Sequence, residues 1–206
     1  GKGLTPEWEA EMREHNVPEW YILSCKKIRY LFPKAHAAAY VMSAIRLAWY
    51  KVHKPVEFYC TMFTVAPKGF DASIITKGMQ NVRTVMADIQ KRGKDASPKE
   101  QDSVPVLQLV NEAMSRGIRF LPVNLAVSEA FVFRPENGGI RMPFSALPGL
   151  GDAAADSIIQ ARKEEPFFSV EDLQTRAKVS KGVIDILREA GALDDVEETD
   201  QLTFKF

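Results

Sequence analysis

Between Pro33 and Pro55 the chain runs for twenty-one residues without a Pro or Gly, and most of them favour a helix. Such a segment is hard to build as anything but one long helix, predicted over Ala35–His53 and ended by Lys54-Pro55. The same punctuation organises the flanks. Thr5-Pro6-Glu7 supplies an N-cap, a Pro at the first helical position and an acid in the first turn. Val17-Pro18 ends that helix, and a second apolar-periodic stretch runs from Glu19 to about Leu31 before Phe32-Pro33. Further on, Phe70–Lys91 predicts one or two helices ending at Arg92-Gly93-Lys94, and Val104–Arg116 a helix closed by Gly117. Ala96–Lys99 is expected as a loop and Ile118–Val127 as a meandering connector. Glu129–Arg134 and Ile140–Phe144 flank the turn Pro135–Gly139 and predict the one β-hairpin. The expected fold is therefore mainly α.

On the long helix, His36, Tyr40, Ser43, Arg46 or Leu47, Tyr50 and His53 recur at three- and four-residue steps and share a face. Ala, Val, Met, Ile, Leu and Trp fill the rest, so the helix is expected to be mostly buried with one polar stripe lining a cleft. The charge supports a phosphate-facing role. Between Glu19 and Glu57 there is no acid, yet Lys26, Lys27, Arg29, Lys34, Arg46, Lys51 and Lys54 fall there. Overall the 27 Lys/Arg and 27 Asp/Glu cancel, but residues 1–145 hold 20 bases against 14 acids while the remainder reverses the balance. The acids crowd at the end, from Asp185 to Asp200, a pattern that keeps a tail solvated and repels DNA.

Composition excludes several classes. At 46% hydrophobic residues, the chain has ample apolar material to fold. Two cysteines, Cys25 and Cys60, rule out a disulfide scaffold, and with three histidines they cannot furnish a zinc-finger ligand set. No signal peptide or membrane-length apolar run is found, so a cytoplasmic protein without membrane contact is expected.

The chemistry sits in Leu147-Pro148-Gly149-Leu150-Gly151, followed by the helix formers Asp152–Arg162. Glycines in such a turn allow positive φ and let backbone approach a phosphate that a Cβ would block. The N–H groups of the turn and of the following helix start then face that phosphate. Leu147 and Leu150 pin the turn to the core. This string resembles the helix-hairpin-helix motif, which contacts sugar-phosphate without reading bases. Ser169 and Asp172 predict a capped helix next, and Val179-Ser180-Lys181-Gly182-Val183 resembles a degenerate second hairpin leading into Ile184–Leu193. Candidate backbone-binding residues are Gly149, Leu150, Gly151, Lys181 and Gly182.

Along its whole length the chain resembles the C-terminal part of PolC-type DNA polymerase III alpha subunits, replicative polymerases of the C family. The resemblance rests on Gly1–Leu4, Val17-Pro-Glu-Trp20, Phe32-Pro-Lys-Ala-His-Ala-Ala-Ala-Tyr40, Lys51-Val-His53, Leu147–Gly151 and Gln201–Phe206. It implies a fingers segment over 1–68, in which Lys34, His36, Tyr40, Arg46 and Lys51 face incoming dNTP and template. It further implies a connector with the β-hairpin over 69–144, a tandem helix-hairpin-helix module gripping primer–template duplex over 145–196, and a flexible acidic tail over 197–206. In the tail, Gln201, Leu202, Phe204 and Phe206 would dock into the sliding clamp, although Lys205 departs from the commonest spacing. The family's catalytic carboxylates and its Mg2+ site would lie upstream, so no catalytic residue, metal or cofactor is expected in this chain, which alone is expected to be inactive. Two other readings stand beside this one: a stand-alone, non-catalytic helix-hairpin-helix DNA-binding protein, and a small nuclease or lyase, for which no convincing Lys nucleophile or carboxylate cluster is found.

Overall fold

A computed structural model describes residues 3–27, 33–65 and 69–199. The chain divides into two compact units, Gly1–Trp49 and Tyr50–Phe206, with the division inside the long helix.

In the first unit, α1 (Pro6–Glu14) starts as its sequence dictates, with Thr5 accepting a hydrogen bond from the Trp8 amide. A turn through Asn16 leads into α2 (Glu19–Lys27). The two helices are laced by Arg13–Glu19 at 2.9 Å and Lys26–Glu9 at 3.0 Å, ion pairs that solvent screens. Ile22 is the only buried residue among those described in this unit. The long helix α3 spans Lys34–His53, as the absence of Pro and Gly requires. It is not the mostly buried helix expected. None of its residues is buried, and Tyr40, Ile45 and Val52 are 67%, 63% and 68% exposed. Its apolar faces reflect a pattern suited to burial that the described residues do not cover.

The second unit is built around one hydrophobic core. Its first helix, α4 (Pro55–Val65), buries Tyr59, Cys60 and Phe63. Phe63 meets Phe70, Phe120 and Phe133 at ring distances of 5.4, 5.4 and 5.6 Å. A short α5 (Ala72–Ile75) precedes α6 (Met79–Arg92), which packs Val82 and Ile89 into the core beside α7 (Pro98–Ser115).

α7 begins six residues before the predicted Val104, because Ser97 and Glu100 form a reciprocal capping box. Pro105 therefore lies inside the helix, where it forfeits a backbone bond at a cost of about 3 kcal/mol. The cap and the burial of Val106, Leu107 and Val110 offset that loss.

The β structure differs from the predicted hairpin in extent and partners. Only β2 (Arg134–Glu136) and β3 (Gly139–Arg141) form the hairpin, around Asn137 and Gly138 with φ of 49° and 72°. A third strand, β1 (Phe120–Leu121), lies in the segment read as a meander and pairs parallel with β3, giving the order β1-β3-β2. That pairing needs Gly139, since a Cβ there would lie 2.7 Å from the Arg119 carbonyl oxygen. Below the sheet, the fully buried Ser128 accepts from the Asn124 amide and donates to the Met142 carbonyl. Three helices complete the unit: α8 (Asp152–Glu164), α9 (Val170–Ala177) and α10 (Lys181–Glu189). They contribute Ala155, Ile158, Leu173, Ile184 and Leu187 to the core. Among the described residues the fold is thus mainly helical, with one small three-stranded sheet.

Candidate nucleic-acid interface

Two short turns precede α8 and α10, and the sequence explains why both are tight. Before α8, a single 3₁₀ turn, Phe144–Ala146, replaces the first full helix of the expected hairpin. Leu147 and Leu150 are buried and fix the loop from within, while Pro148, Gly149 and Gly151 are exposed. Gly149 has φ +86°, and a Cβ there would come within 3.1 Å of Ile186 Cδ1. Gly151 does a different job from the one expected. Its φ is −73°, it caps α8, and a Cβ built on it meets nothing within 4 Å. The fold would tolerate a side chain at Gly151, so its bareness is spent on the outside.

The Gly151 carbonyl accepts from the Ala154 and Ala155 amides, at 3.0 and 3.1 Å. The amides of Gly151, Asp152 and Ala153 have no acceptor among the described residues, so a helix start and its dipole face outward.

The second turn repeats this geometry with an offset of twenty-nine residues. Lys178 stands where Gly149 stands, in left-handed conformation with φ 52°. Val179 is buried like Leu150. Ser180 caps α10 with φ −72° and ψ 160°, against −73° and 156° at Gly151. The Ser180 carbonyl accepts from Val183 and Ile184 as Gly151 does from its own helix, and its hydroxyl accepts from the Val183 amide at 3.4 Å.

This register relocates two of the sequence candidates. Lys181 and Gly182 are the first two residues of α10, and Gly182 is not at a left-handed position. The turn residue sequence reasoning missed is Lys178. Its signal was available in the pattern of a left-handed position, a buried aliphatic and an N-cap, read as Gly149-Leu150-Gly151 and again as Lys178-Val179-Ser180.

Arg176 holds the two halves together. Its guanidinium donates to the carbonyls of Ala161 and Glu165 at the end of α8, ion-pairs with Asp172 at 3.1 Å, and lies 5.0 Å from the Phe167 ring centroid.

The nucleotide-facing candidates divide. Lys34, His36, Tyr40 and Arg46 are exposed on α3. His36 and Tyr40 stack edge-on at 4.5 Å. At about 100° per residue, Arg46 lies about 80° round the helix from His36 and Lys34 about 160°, so these four do not form one stripe. Lys51 belongs to the second unit, where its Nζ is 2.8 Å from Glu112 and 5.7 Å from the Phe58 ring centroid. The Lys51 ammonium in turn holds the Glu112 carboxyl below its ordinary range. The clamp-facing candidates Gln201, Leu202, Phe204 and Phe206 lie outside the described residues, as does Arg29. Among the described residues no three His, Cys, Asp or Glu side chains gather as a metal site, and no helix is long and apolar enough to cross a membrane.

Comparison with known proteins agrees with this geometry. The helix-hairpin-helix motif family matches residues 117–202, a span that takes in the sheet as well as both turns. Over 98% of its length the chain is similar to proteins named DNA polymerase III PolC-type. It is 49% identical to that of Bacillus subtilis, 48% to that of Clostridium perfringens and 47% to that of Thermotoga petrophila. It spans only about 14–15% of the length of these relatives.

Proposed function

This chain is a homologue of the C-terminal part of PolC-type DNA polymerase III, and on that premise we propose that it serves a DNA-directed DNA polymerase by gripping the primer–template duplex through its backbone. The observation that carries the reading is the outward-facing start of α8, where three unpaired amides surround a glycine whose missing side chain leaves open space. A phosphate oxygen can approach those amides closely, and each charge-assisted hydrogen bond is worth about 1.5–3 kcal/mol. The second turn offers the same helix start with Lys178 and Lys181 beside it, both exposed. Neither turn reads a base edge, so the grip is independent of sequence and weakens with salt.

The first unit fits the same assignment. A helix with wide apolar faces left exposed suits the interior of something larger, and the relatives are about seven times longer than this chain. Lys34, His36, Tyr40 and Arg46 are proposed to face dNTP and template once that surface is covered. Lys51 is proposed to act through its pair with Glu112, steadying the end of α3. Gln201, Leu202, Phe204 and Phe206 are proposed to dock into the sliding clamp. The nucleotidyl transfer and its Mg2+ are assigned to the parts of the polymerase outside this chain, which alone would be inactive and would work in the cytoplasm.

Fluorescence anisotropy of labelled primer–template and single-stranded DNA across a salt series tests the central claim, on the wild type and on Gly151→Val. Preference for duplex, a negative salt slope and weakening by the substitution are expected. Duplex affinity untouched by Gly151→Val would sink the reading.

A further inference from the structure

Arg162, the third-last residue of α8, is partly buried and has no anion of its own. Its Nη1 donates to the Leu125 carbonyl at 2.8 Å, and no carboxylate among the described residues forms an ion pair with it. The acid whose field reaches it is Glu129, and that carboxylate is engaged with Arg134 at 3.4 Å. Burial outweighs this field and holds the guanidinium below its ordinary pKa. A guanidinium carries five donors in a planar fork, so one carbonyl leaves most of that capacity unused. Taking such a charge out of water without a counter-ion is costly.

The same side chain lines a cavity of about 300 Å³, at the small end of the range for organic ligands. The walls come from the 124–126 turn, the link between α8 and α9, and the residues after α10. Leu125 is buried there, and Phe167 and Val196 are partly buried, which gives an apolar lining. Asn124 adds a donor: its Oδ1 accepts from the Ala126 and Val127 amides, and its Nδ2 has no acceptor among the described residues. We propose that this cavity binds a small organic monocarboxylate, its carboxylate on the fork of Arg162 and its apolar body against Phe167 and Val196. The planar fork matches a carboxylate with two parallel hydrogen bonds. A phosphate or nucleotide suits the cavity less well, because Arg162 is the one cation lining it and the exposed Asp195 repels a second negative charge. The site is separate from the phosphate-facing start of α8, since Asp152 and Arg162 lie about 15 Å apart along the helix. It therefore stands whether or not the duplex reading does.

The test titrates the full chain with phenylacetate by calorimetry, with phenylacetamide and inorganic phosphate as the neutral and the polyanionic comparisons. Phenylacetate should bind at one site in the low-millimolar range, about tenfold or more tightly than either comparison. Amide shifts followed by NMR during the same titration should centre on Leu125, Arg162, Phe167 and Val196. Arg162→Met should weaken phenylacetate about tenfold or more, and Arg162→Lys, which keeps the charge and loses the fork, should weaken it less. Equal binding of phenylacetate and phenylacetamide overturns the site, as does absence of phenylacetate binding up to about 20 mM. Shifts confined to the exposed apolar residues of α3 overturn it as well, and so do shifts confined to Gly151–Ala153, which would put the anion at the helix start. Should Arg162→Met fail to fold, the amide comparison and the shift map on the wild type decide alone.

Discussion

Gly149 and Gly151 stand two residues apart in one turn, and their replacement by alanine should have opposite consequences. At Gly149 the backbone is left-handed, where an L side chain costs about 1–2 kcal/mol. The new methyl would also press on Ile186 Cδ1 at 3.1 Å, so the side chain of α10 must give by a few tenths of an ångström. A total near 2 kcal/mol corresponds to a fall in Tm of about 4–8 °C for a unit of this size. At Gly151 the backbone is ordinary and the space is open, so Gly151→Ala loses only the difference between Gly and Ala as an N-cap, of order 0.5–1 kcal/mol. Its methyl instead stands where the proposed phosphate would approach. Losing one charge-assisted contact worth about 1.5–3 kcal/mol weakens duplex binding about 10- to 100-fold. Thermal melts by circular dichroism and anisotropy titrations on the two variants separate these effects. The reasoning is refuted if Gly151→Ala lowers Tm as much as Gly149→Ala, or if it leaves duplex affinity unchanged while Gly149→Ala abolishes it.

Other expectations follow from single residues. Lys178→Gly removes a left-handed lysine and should raise Tm by about 1–4 °C in a calorimetric scan. Asp152→Asn takes a carboxylate away from the proposed phosphate; at about 6 Å in water the repulsion is about 0.7 kcal/mol, so duplex affinity should rise about threefold in the same titration. Burial, and then the Glu57 carboxylate, push the Cys60 thiol up to about 12, so at pH 8 it should resist a thiol reagent that modifies unfolded chain at once. Because the folded value is raised, this thiol's contribution to stability is full below about 9 and is lost as pH climbs towards 12, visible as a falling alkaline Tm. The Arg92 pair, with help from Ser97, pulls the Glu100 carboxyl down to about 2. Its stabilising contribution is present above the ordinary 4.5 and is lost as pH drops towards 2, a shift that Glu100→Gln should remove from an acid melt monitored by circular dichroism.

Much of this was legible because the signals were local. Pro33 and Pro55 bracket α3 within a residue or two of where it begins and ends, and Thr5-Pro6 starts α1 exactly where a cap and a fixed φ suit a helix. Leu147–Gly151 announced the turn before α8 for the same reason. What escaped depended on partners distant in sequence. β1 is two residues long and exists only through β3, twenty residues later. The start of α7 was placed six residues late because Ser97, which caps it together with Glu100, lay in the segment expected as a loop. The exposure of α3 could not be read from a pattern that records a preference for burial without saying what supplies it. The second turn was found two residues out of register because glycine was used as the marker, while the backbone there places lysine in the left-handed position.

The parallel pairing of β1 with β3 has a consequence for synthesis. Phe120 leaves the ribosome ahead of its partner Ile140 by twenty residues, about 1–4 s at ordinary elongation rates. For the first thirteen residues of that interval the cluster of Phe63, Phe70 and Phe120 lacks Phe133, and throughout it lacks the strand that pairs with β1. A chain cut short before Gly139 would lack β3 and leave β1 permanently unpaired beside the aromatic cluster. Premature termination in this stretch should therefore yield aggregates, where termination a few residues beyond Arg141 should yield a chain that closes its sheet.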